Sequence, residues 1–417
     1  MTAPHRGAPS ASRRTDPALS LVRLLKPEIL ANPYPLYQQL RTEDPVHWDP
    51  YLNAWVVTRY ADVVTVLLEP YFSANTTPTP EQLTAVGLEA LNPIAQVMIR
   101  QMLFLDPPAH SRIRGIASKA FTPRRVESLR VHIQDIVDHL LDSVQDTGKM
   151  DVMEDLAIPL PTIVMAELLG MPPGDREQLK AWSADFAEVL GNFQYNPERA
   201  SKVLRCVNEM TTYFHEAISS PRNGSSDHLI NAFIAAEDRG DRLTEEEIIA
   251  NMIVTMVGGQ ETTTNLIGNG VLSLLRNPDQ LERLHADPAL IPTAIEELLR
   301  YESPSQHTAR MAVEDVEIGG TAIRQRQGVI AVMGAANRDP ARFPDPDRLD
   351  VGRQDNRHVA FGWASHFCFG APLARLEGHI AFATLLQRMP DMRLDPGPLT
   401  WRQNLGLRGL TALPVSF

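Results

Sequence analysis

The chain of 417 residues has little cysteine, an excess of acidic over basic charge, and no long apolar run. Two cysteines without a CxxC pair argue against a disulfide scaffold, a dithiol redox site and a zinc cluster, and they fit a reducing cytoplasm. The net charge of −12 argues against nucleic acid as the main partner. No apolar run approaches the roughly 18 residues that a membrane helix needs, so no membrane association is expected.

The remaining pattern predicts a mainly α fold with small β-sheets (α+β). Hydrophobic residues make up 43% of the chain, which is enough for a large core. No βαβ alternation or GxGxxG motif marks a dinucleotide-binding domain. Residues 1–17 are rich in Ala, Ser, Pro and Arg without an apolar centre, a composition typical of a disordered tail. Length alone allows two or three domains.

One cysteine lies in a glycine-bounded loop, residues 361–370, with the sequence FGWASHFCFG. Cys368 stands between Gly362 and Gly370, and a helical pattern with Pro372 in its first turn follows at once. Free backbone N–H groups and the helix dipole at such a position favour the thiolate. The residues alone leave four interpretations open: a small buried hydrophobe, a nucleophile, a redox thiol, or a metal ligand such as the axial ligand of a haem iron.

The longest periodic segment, residues 243–277, predicts a single helix of about 50 Å. A capping box of Thr244 and Glu247 marks its start. Its middle, residues 258–264, reads GGQETTT, which is unusual because adjacent glycines and a buried acid both cost stability. This stretch is either a packing notch against another helix or a close approach of the backbone to a flat ligand, with Glu261 and a hydroxyl beside it.

A second charged pair lies on a shorter predicted helix, residues 291–301. Glu297 and Arg300 are three residues apart, so they share one helix face. Taken alone, they are most simply a solvated ion pair. Residues 310–334 then predict β-structure, and a proline-rich coil leads from residue 336 towards the cysteine loop.

Four stretches in this order resemble the cytochrome P-450 family of haem-thiolate monooxygenases, in its soluble bacterial form: residues 258–263, 297–300, 343–348 and 361–370. Residues 55–58 and 106–110 are also similar to the N-terminal half of that family, so the resemblance covers nearly the whole chain. It implies the cytochrome P-450 fold, with the long helix passing over the haem. It also implies a single domain, residues 18–417, after the tail.

The resemblance assigns the contacts of a haem b cofactor. Cys368 matches the axial ligand of the iron. Cationic or hydrogen-bonding side chains match the positions that bind the haem propionates, because two buried carboxylates need such partners: His110, Arg114, Arg310 and His358. Three further residues match other haem-contacting positions: Gly258, Phe361 and Gly370.

Two more groups follow from the resemblance. Glu261 and Thr262 match an acid–alcohol pair that relays protons for cleavage of the O–O bond, and the bacterial peroxygenases of the family depart from this pair. Glu297, Arg300 and Arg348 match a buried structural triad that braces the cysteine loop. Loss of one partner from such a group costs roughly 3–5 kcal/mol.

The chain departs from the family pattern at one position in the cysteine loop. Ala364 stands where the family has glycine, which permits a tight turn under the haem. Alanine fits there only if its φ is negative, so the sequence leaves the backbone geometry of this position open.

The implied activity is hydroxylation or epoxidation of a mostly apolar small molecule with O2 by a cytoplasmic, monomeric enzyme. The two electrons would come from a separate ferredoxin or flavodoxin with an NAD(P)H-dependent reductase. Basic residues predict part of the surface that docks an acidic redox partner: Arg112, Lys119, Arg124 and Arg125.

Other interpretations remain open at this point. A haem-thiolate isomerase or dehydratase would turn over without electrons, and a peroxygenase would use peroxide. A haem-binding sensor or carrier would need no proton relay, which the intact Glu261–Thr262 pair disfavours. A cysteine hydrolase would bind no haem at all.

Overall fold

The computed structural model describes residues 17–192, 196–219, 228–238 and 240–417. Apart from Pro17, which begins a short 3-10 turn, the predicted N-terminal tail lies outside the described residues. Within the described ranges, no helix is both long and apolar enough to cross a membrane.

Helices carry most of the described chain, as the sequence predicts. The helices are α1 Pro27–Ala31, α2 Tyr34–Glu43, α3 Tyr60–Leu68, α4 Pro80–Ala85, α5 Asn92–Met98, α6 Ala109–Ala120, α7 Pro123–Ser128, α8 Arg130–Gln145, α9 Pro159–Leu169, α10 Arg176–Gly191, α11 Pro197–Ser219, α12 Leu229–Ala235, α13 Glu245–Leu275, α14 Pro278–Ala286, α15 Ile291–Tyr301, α16 Met333–Ala336 and α17 Ala371–Arg388.

Short strands form small sheets beside the helices. The strands are β1 Val46–Asp49, β2 Ala54–Val57, β3 Phe72–Ser73, β4 Lys149–Asp151, β5 Glu237–Asp238, β6 Asp241–Arg242, β7 Thr308–Ala312, β8 Val316–Ile318, β9 Thr321–Ile323, β10 Gly328–Ala331, β11 Arg393–Leu394 and β12 Pro414–Ser416. The largest sheet has the order β1-β2-β10-β7-β3, with β2 and β10 parallel and the other pairs antiparallel. Early and late parts of the chain therefore meet in one sheet, an arrangement expected of the single domain proposed for residues 18–417.

The long helix α13 runs through the main apolar core. It has 31 residues, and at about 1.5 Å per residue it spans roughly 46 Å. The predicted capping box is confirmed, because the Thr244 hydroxyl accepts from the Glu247 N–H and the Glu247 carboxylate accepts from the Thr244 N–H. Small residues let neighbouring helices approach: a Cβ on Gly270 would collide with Phe382 of α17, and one on Gly378 of α17 would press on Leu266. This contact ties α17, and the cysteine loop before it, to α13.

Candidate functional site

The cysteine loop is a closed turn in front of α17. The Cys368 N–H donates to the carbonyl oxygen of Phe361 at 2.7 Å, which joins the two ends of the loop. Gly362 and Ala364 both have positive φ, +70° and +53°. The condition of a negative φ, under which alanine would fit without strain, is therefore not met at Ala364. The loop needs the left-handed conformation there, which costs an L-residue about 1–2 kcal/mol.

The sulfur of Cys368 is surrounded by groups that favour negative charge. The backbone N–H groups of Gly370 and Ala371 point to it, and Arg114 and Arg375 add positive charge. Burial is the largest effect, however, and it raises the pKa of the thiol above its ordinary value of 9.0. Because a raised pKa opposes nucleophilic attack, and because a bound metal ion deprotonates a coordinating thiol outright, the loop fits a metal ligand better than a free nucleophile.

One face of α13 opens on interior space. Val254, Gly258 and Thr262, spaced by four residues, are accessible although this stretch of the helix runs through the core. A Cβ on Gly258 would meet no atom within 4 Å, whereas one on Gly259 would collide with the Met165 side chain of α9. Both interpretations of the paired glycines thus apply, one to each residue: Gly259 is a packing notch, and Gly258 leaves room for a flat group against the helix.

The acid and the alcohol of the predicted relay face different neighbours. The Thr262 hydroxyl donates to the Gly258 carbonyl at 2.6 Å on the open face of α13. Glu261, 5% exposed, is ion-paired with Arg402. Burial raises the pKa of Glu261, and Arg402 counteracts that rise. No hydrogen bond between described residues joins Glu261 directly to Thr262, so a carboxyl rotation or a water must link them.

Histidine and arginine side chains from three elements converge on one pocket. The rings of His110 (α6) and His366 (cysteine loop) stack with centroids 4.2 Å apart, and His110 is 2% exposed with both ring nitrogens lacking a partner in the described chain. Burial lowers the pKa of His366 to about 3 and that of Arg310 (β7) to about 10, and Arg310 and His110 further lower the pKa of His366. Burial also lowers the pKa of His110, and Arg114 adds to that effect. The buried guanidinium of Arg310 and the unpartnered ring nitrogens of His110 suit an anionic hydrogen-bond acceptor, such as the two propionates of a haem.

His358 is not part of this pocket, which corrects the sequence-based assignment. Its Nε2 lies 3.2 Å from a carboxylate oxygen of Glu296, and its Nδ1 accepts the Ala360 N–H at 3.2 Å. Both ring nitrogens are therefore engaged. His366 lies in the pocket instead, stacked on His110. Its position two residues before Cys368, in the same loop, was the sequence signal that could have identified it.

The Glu297–Arg300 pair is buried, not solvated. Both side chains are 0% exposed, and Arg300 donates from Nε and Nη2 to the carboxylate at 2.7 and 2.8 Å. The third member of the triad is Arg353, whose Nε lies 3.1 Å from a carboxylate oxygen of Glu297. The assignment of Arg348 to this role is wrong: Arg348 is exposed, and only its carbonyl takes part, by accepting from Arg300 at 3.3 Å.

The brace reaches the cysteine loop through the coil before it. Glu297 also accepts from the Asp350 N–H at 2.9 Å and from Asn356 at 3.1 Å. One buried carboxylate thus fixes the path of residues 350–356, which leads directly into the loop. The guanidinium of Arg375 lies over the ring of Phe361, 4.6 Å from the ring centroid, and adds a further contact to the same loop.

The residues present fit haem b. A cysteine sulfur with backbone N–H donors suits the axial ligand, the open space at Gly258 suits a planar macrocycle, and the unpartnered His110 with Arg114, Arg310 and His366 suits the propionates. Phe361 and Gly370, the remaining predicted cofactor contacts, form the two ends of the cysteine loop.

Comparisons with known proteins agree with this geometry. The family model described as cytochrome P450 matches residues 88–291 and 289–390. The chain is 42% identical to the biotin biosynthesis cytochrome P450 of Bacillus subtilis over 94% of this chain and 97% of that one. It is 41% identical to the cytochrome P450 monooxygenase PikC of Streptomyces venezuelae, over 93% and 92% of the two chains.

A solved structure has the same fold. The crystal structure of P450BioI in complex with acyl carrier protein ligated to hexadec-9Z-enoic acid superimposes with a TM-score of 0.88 at 40% identity, covering 94% of this chain and 100% of that one. Proteins of this family bind haem b as their cofactor. The chain therefore belongs to the cytochrome P450 family and is a haem-thiolate monooxygenase.

Proposed function

We propose that this enzyme hydroxylates, or epoxidises, a mostly apolar small molecule with electrons from a separate ferredoxin or flavodoxin and its NAD(P)H-dependent reductase. For hydroxylation, R–H, O2, two electrons and two protons give R–OH and water. The bound haem supplies the activation of dioxygen, which a cysteinate ligand favours. The protein itself binds the substrate, excludes water and delivers two protons.

The observation that carries the proposal is the Glu261–Thr262 pair on α13. Thr262 presents its hydroxyl on the open face beside Gly258, where an oxygen atom of the reaction would lie. In its observed orientation the hydroxyl donates to the Gly258 carbonyl, which leaves its oxygen lone pairs able to accept a proton. Glu261, buried next to it in sequence, holds an exchangeable proton without opening the site to bulk water.

The other predicted site residues hold the cofactor. Cys368 is the proposed iron ligand, and His110, Arg114 and Arg310, with His366, are the proposed propionate partners. Burial lowers the pKa of all four groups in the chain alone, and bound propionates would supply them with negative charge and hydrogen-bond acceptors. Loss of any one of them is expected to weaken cofactor retention more than catalysis.

For the substrate we propose a long acyl chain, free or carried on an acyl carrier protein. The support is the similarity to P450BioI, whose solved complex holds such a ligand. The accessible face of α13 begins with Val254, whose apolar side chain is suited to contact with an acyl chain. We further propose that the enzyme is cytoplasmic and monomeric, which light scattering of the purified holoenzyme would check.

Three measurements test the function. A reduced-CO difference spectrum should give the thiolate-type band in the wild-type holoenzyme and lose it in Cys368→Ala. Hexadec-9Z-enoic acid, free and on acyl carrier protein, should shift the haem spin state, with a steroid as the comparison ligand. Turnover under 18O2 with NAD(P)H, ferredoxin and reductase should place one labelled atom in the product.

The alternatives predict different results. Product formed without electrons would identify an isomerase or dehydratase, and product formed only with peroxide would identify a peroxygenase. A larger spin shift with the steroid than with the acyl chain would overturn the proposed substrate class and leave the reaction class standing.

A further inference from the structure

α13 presents a second face, and that face is polar. Glu261, Asn265 and Asn269 follow one another at intervals of four residues, so they form one stripe along the helix. The stripe packs against the C-terminal hairpin, residues 401–410, whose ends meet in a bridge between Trp401 and Leu410. Asn269 donates to the Arg408 carbonyl at 2.9 Å, and a Cβ on Gly409 would collide with Asn265.

Within this hairpin, Arg402 contacts the relay acid. Its Nη1 hydrogen-bonds a carboxylate oxygen of Glu261, and its own N–H donates to the Gly409 carbonyl at 2.9 Å, which fixes its backbone. The Glu261 side chain is 6% exposed, whereas that of Arg402 is 25% exposed. The pair therefore has one buried end and one end in contact with solvent. Glu188 of α10 is the other charged group that acts on Glu261, and it opposes ionisation.

Asn265 marks a place for water one turn from Glu261. The side chain is 1% exposed, and neither its Nδ2 nor its Oδ1 has a partner in the described chain. A buried amide left without partners costs about 1–3 kcal/mol, and a bound water would offset that cost. Glu261 and Asn265 thus place two polar groups one turn apart on the hairpin side of α13, behind the partly exposed Arg402.

We propose that Arg402 is a positioning residue of the proton relay: it holds the Glu261 carboxylate on the hairpin side of α13, at the inner end of a wet path from bulk solvent. A proton passes from bulk water to the Glu261 carboxylate, and from the Glu261 carboxyl to the Thr262 hydroxyl, which passes its own proton into the active site. Glu261 returns to its Arg402-bound, ionised form after each transfer. This inference rests on the relay role proposed above for Glu261.

The kinetic test compares Arg402→Met, which removes the charge, with Arg402→Lys, which keeps it. In the holoenzyme with a [2Fe–2S] ferredoxin, its reductase and the ligand that gives the largest spin shift, Arg402→Met should lower product formed per NAD(P)H about ten-fold, part of what a general acid contributes. Peroxide should rise correspondingly, and the solvent isotope effect on product formation should increase. Arg402→Lys should retain most of the product yield.

A double-variant cycle separates positioning from general stabilisation of the hairpin. If Arg402 acts through Glu261, Arg402→Met should add no further loss to that of Glu261→Gln. A double variant worse than Glu261→Gln by the full Arg402→Met factor would overturn the proposal. Arg388→Met is the matched control, because Arg388 is 19% exposed and pairs with Asp138 and Asp142 of α8, and it should leave product yield unchanged.

An infrared titration tests the same contact without substrate or redox partner. The carboxylic acid band assigned to Glu261, by its absence in Glu261→Gln, should persist to higher pH in Arg402→Met and remain near its wild-type titration in Arg402→Lys. An unmoved band in Arg402→Met would also overturn the proposal. Wild-type product yield in Glu261→Gln, by contrast, would refute the relay role itself, whatever the infrared result for Arg402.

Discussion

At the scale of single residues, Ala364 has a strained backbone conformation within the cysteine loop. Its φ of +53° lies in the left-handed region, where the Cβ crowds the following carbonyl. The loop must close from Phe361 to Cys368, and the Phe367 N–H bonds the Ala364 carbonyl at 3.1 Å within that turn. The surrounding hydrogen bonds impose a conformation that alanine disfavours.

Ala364→Gly should therefore stabilise the holoenzyme. Relief of about 1–2 kcal/mol of strain, less the greater chain entropy of glycine when unfolded, leaves an expected gain of about 0.5–1 kcal/mol. Thermal unfolding followed by the haem absorbance and by circular dichroism would measure it. Ala322→Gly in β9, exposed and with ordinary φ, is the control and should lower stability. Equal losses in both variants would contradict the strain argument.

Also at this scale, Arg353 should contribute to the stability of the fold, and the side chain of Arg348 should not. Arg353→Leu removes a guanidinium, 10% exposed, from the fully buried Glu297, and the expected loss is about 3 kcal/mol of unfolding free energy with poorer haem retention. Urea unfolding and the ratio of haem to protein absorbance would report both effects.

The control for that prediction is Arg348→Leu, which removes an exposed side chain and leaves the backbone carbonyl contact with Arg300 in place. It should change stability by less than about 0.5 kcal/mol. A larger loss in Arg348→Leu than in Arg353→Leu would return Arg348 to the triad.

At the scale of elements, the two adjacent glycines of α13 should respond in opposite ways to the same change. Gly258→Ala adds a methyl group to open space and should raise stability by up to about 1 kcal/mol through helix propensity. Gly259→Ala forces the Met165 side chain of α9 to move and should cost about 1–3 kcal/mol. Urea unfolding of both variants as haem-free proteins would measure the difference, because a bound haem would fill the space beside Gly258.

A second substitution checks the cause of the Gly259→Ala effect. Met165→Ala removes the side chain that the new methyl group meets, so the double variant should be less destabilised than the sum of the two single variants. Strict additivity would mean that the glycine is needed for some other reason than the approach of α9.

The link between α15 and α17 should be sensitive to acid. Burial alone would raise the pKa of Glu296, but hydrogen bonds from Arg375 and His358 hold it at about 2, below its ordinary value of 4.5. A depressed carboxyl pKa contributes stability above pH 4.5 that is lost as pH falls towards 2. Glu296→Gln should lower stability at pH 7 by about 1–2 kcal/mol and flatten its decline over that window. Urea midpoints measured at several pH values check this, and a parallel decline in both proteins would refute it.

At the scale of the whole molecule, a net charge of −12 leaves few basic regions for an acidic electron donor. Arg112 is already paired with Asp241 and Glu247, so it is a weaker member of the predicted docking surface. Lys119 and Arg124 are exposed at the end of α6 and the start of α7. They lie close to the cysteine loop, since the ring of Phe121, between them, packs 4.9 Å from that of Phe369.

Reversal of these charges should slow reduction by ferredoxin. Lys119→Glu with Arg124→Glu should raise the KM for ferredoxin roughly ten-fold at low salt, and the difference should shrink as salt screens the charges. The rate at saturating ferredoxin should change little. Lys26→Glu, exposed near the N-terminus, changes the net charge in the same direction by half as much and is the control. An equal rise in that variant would indicate a net-charge effect instead of a docking surface.

The sequence alone determined what depends on near neighbours in the chain. The capping box and length of α13, the loop with its cysteine before a helix, and the mainly helical fold all follow from local spacing, because backbone geometry relates residues a few positions apart. The family and its reaction class followed from four such stretches together.

Only the tertiary structure decided which side chains complete the site. Arg353 rather than Arg348 reaches Glu297, His366 rather than His358 stacks on His110, and Arg402 meets Glu261 from 141 positions away. Spacing cannot specify the partners of Glu297 and Glu261, because they depend on the path of loops and on where distant elements pack, whereas the nearness of His366 to Cys368 could be read from the sequence. The positive φ of Ala364 has the same origin: closure of the loop around the ligand position overrides the preference of the residue.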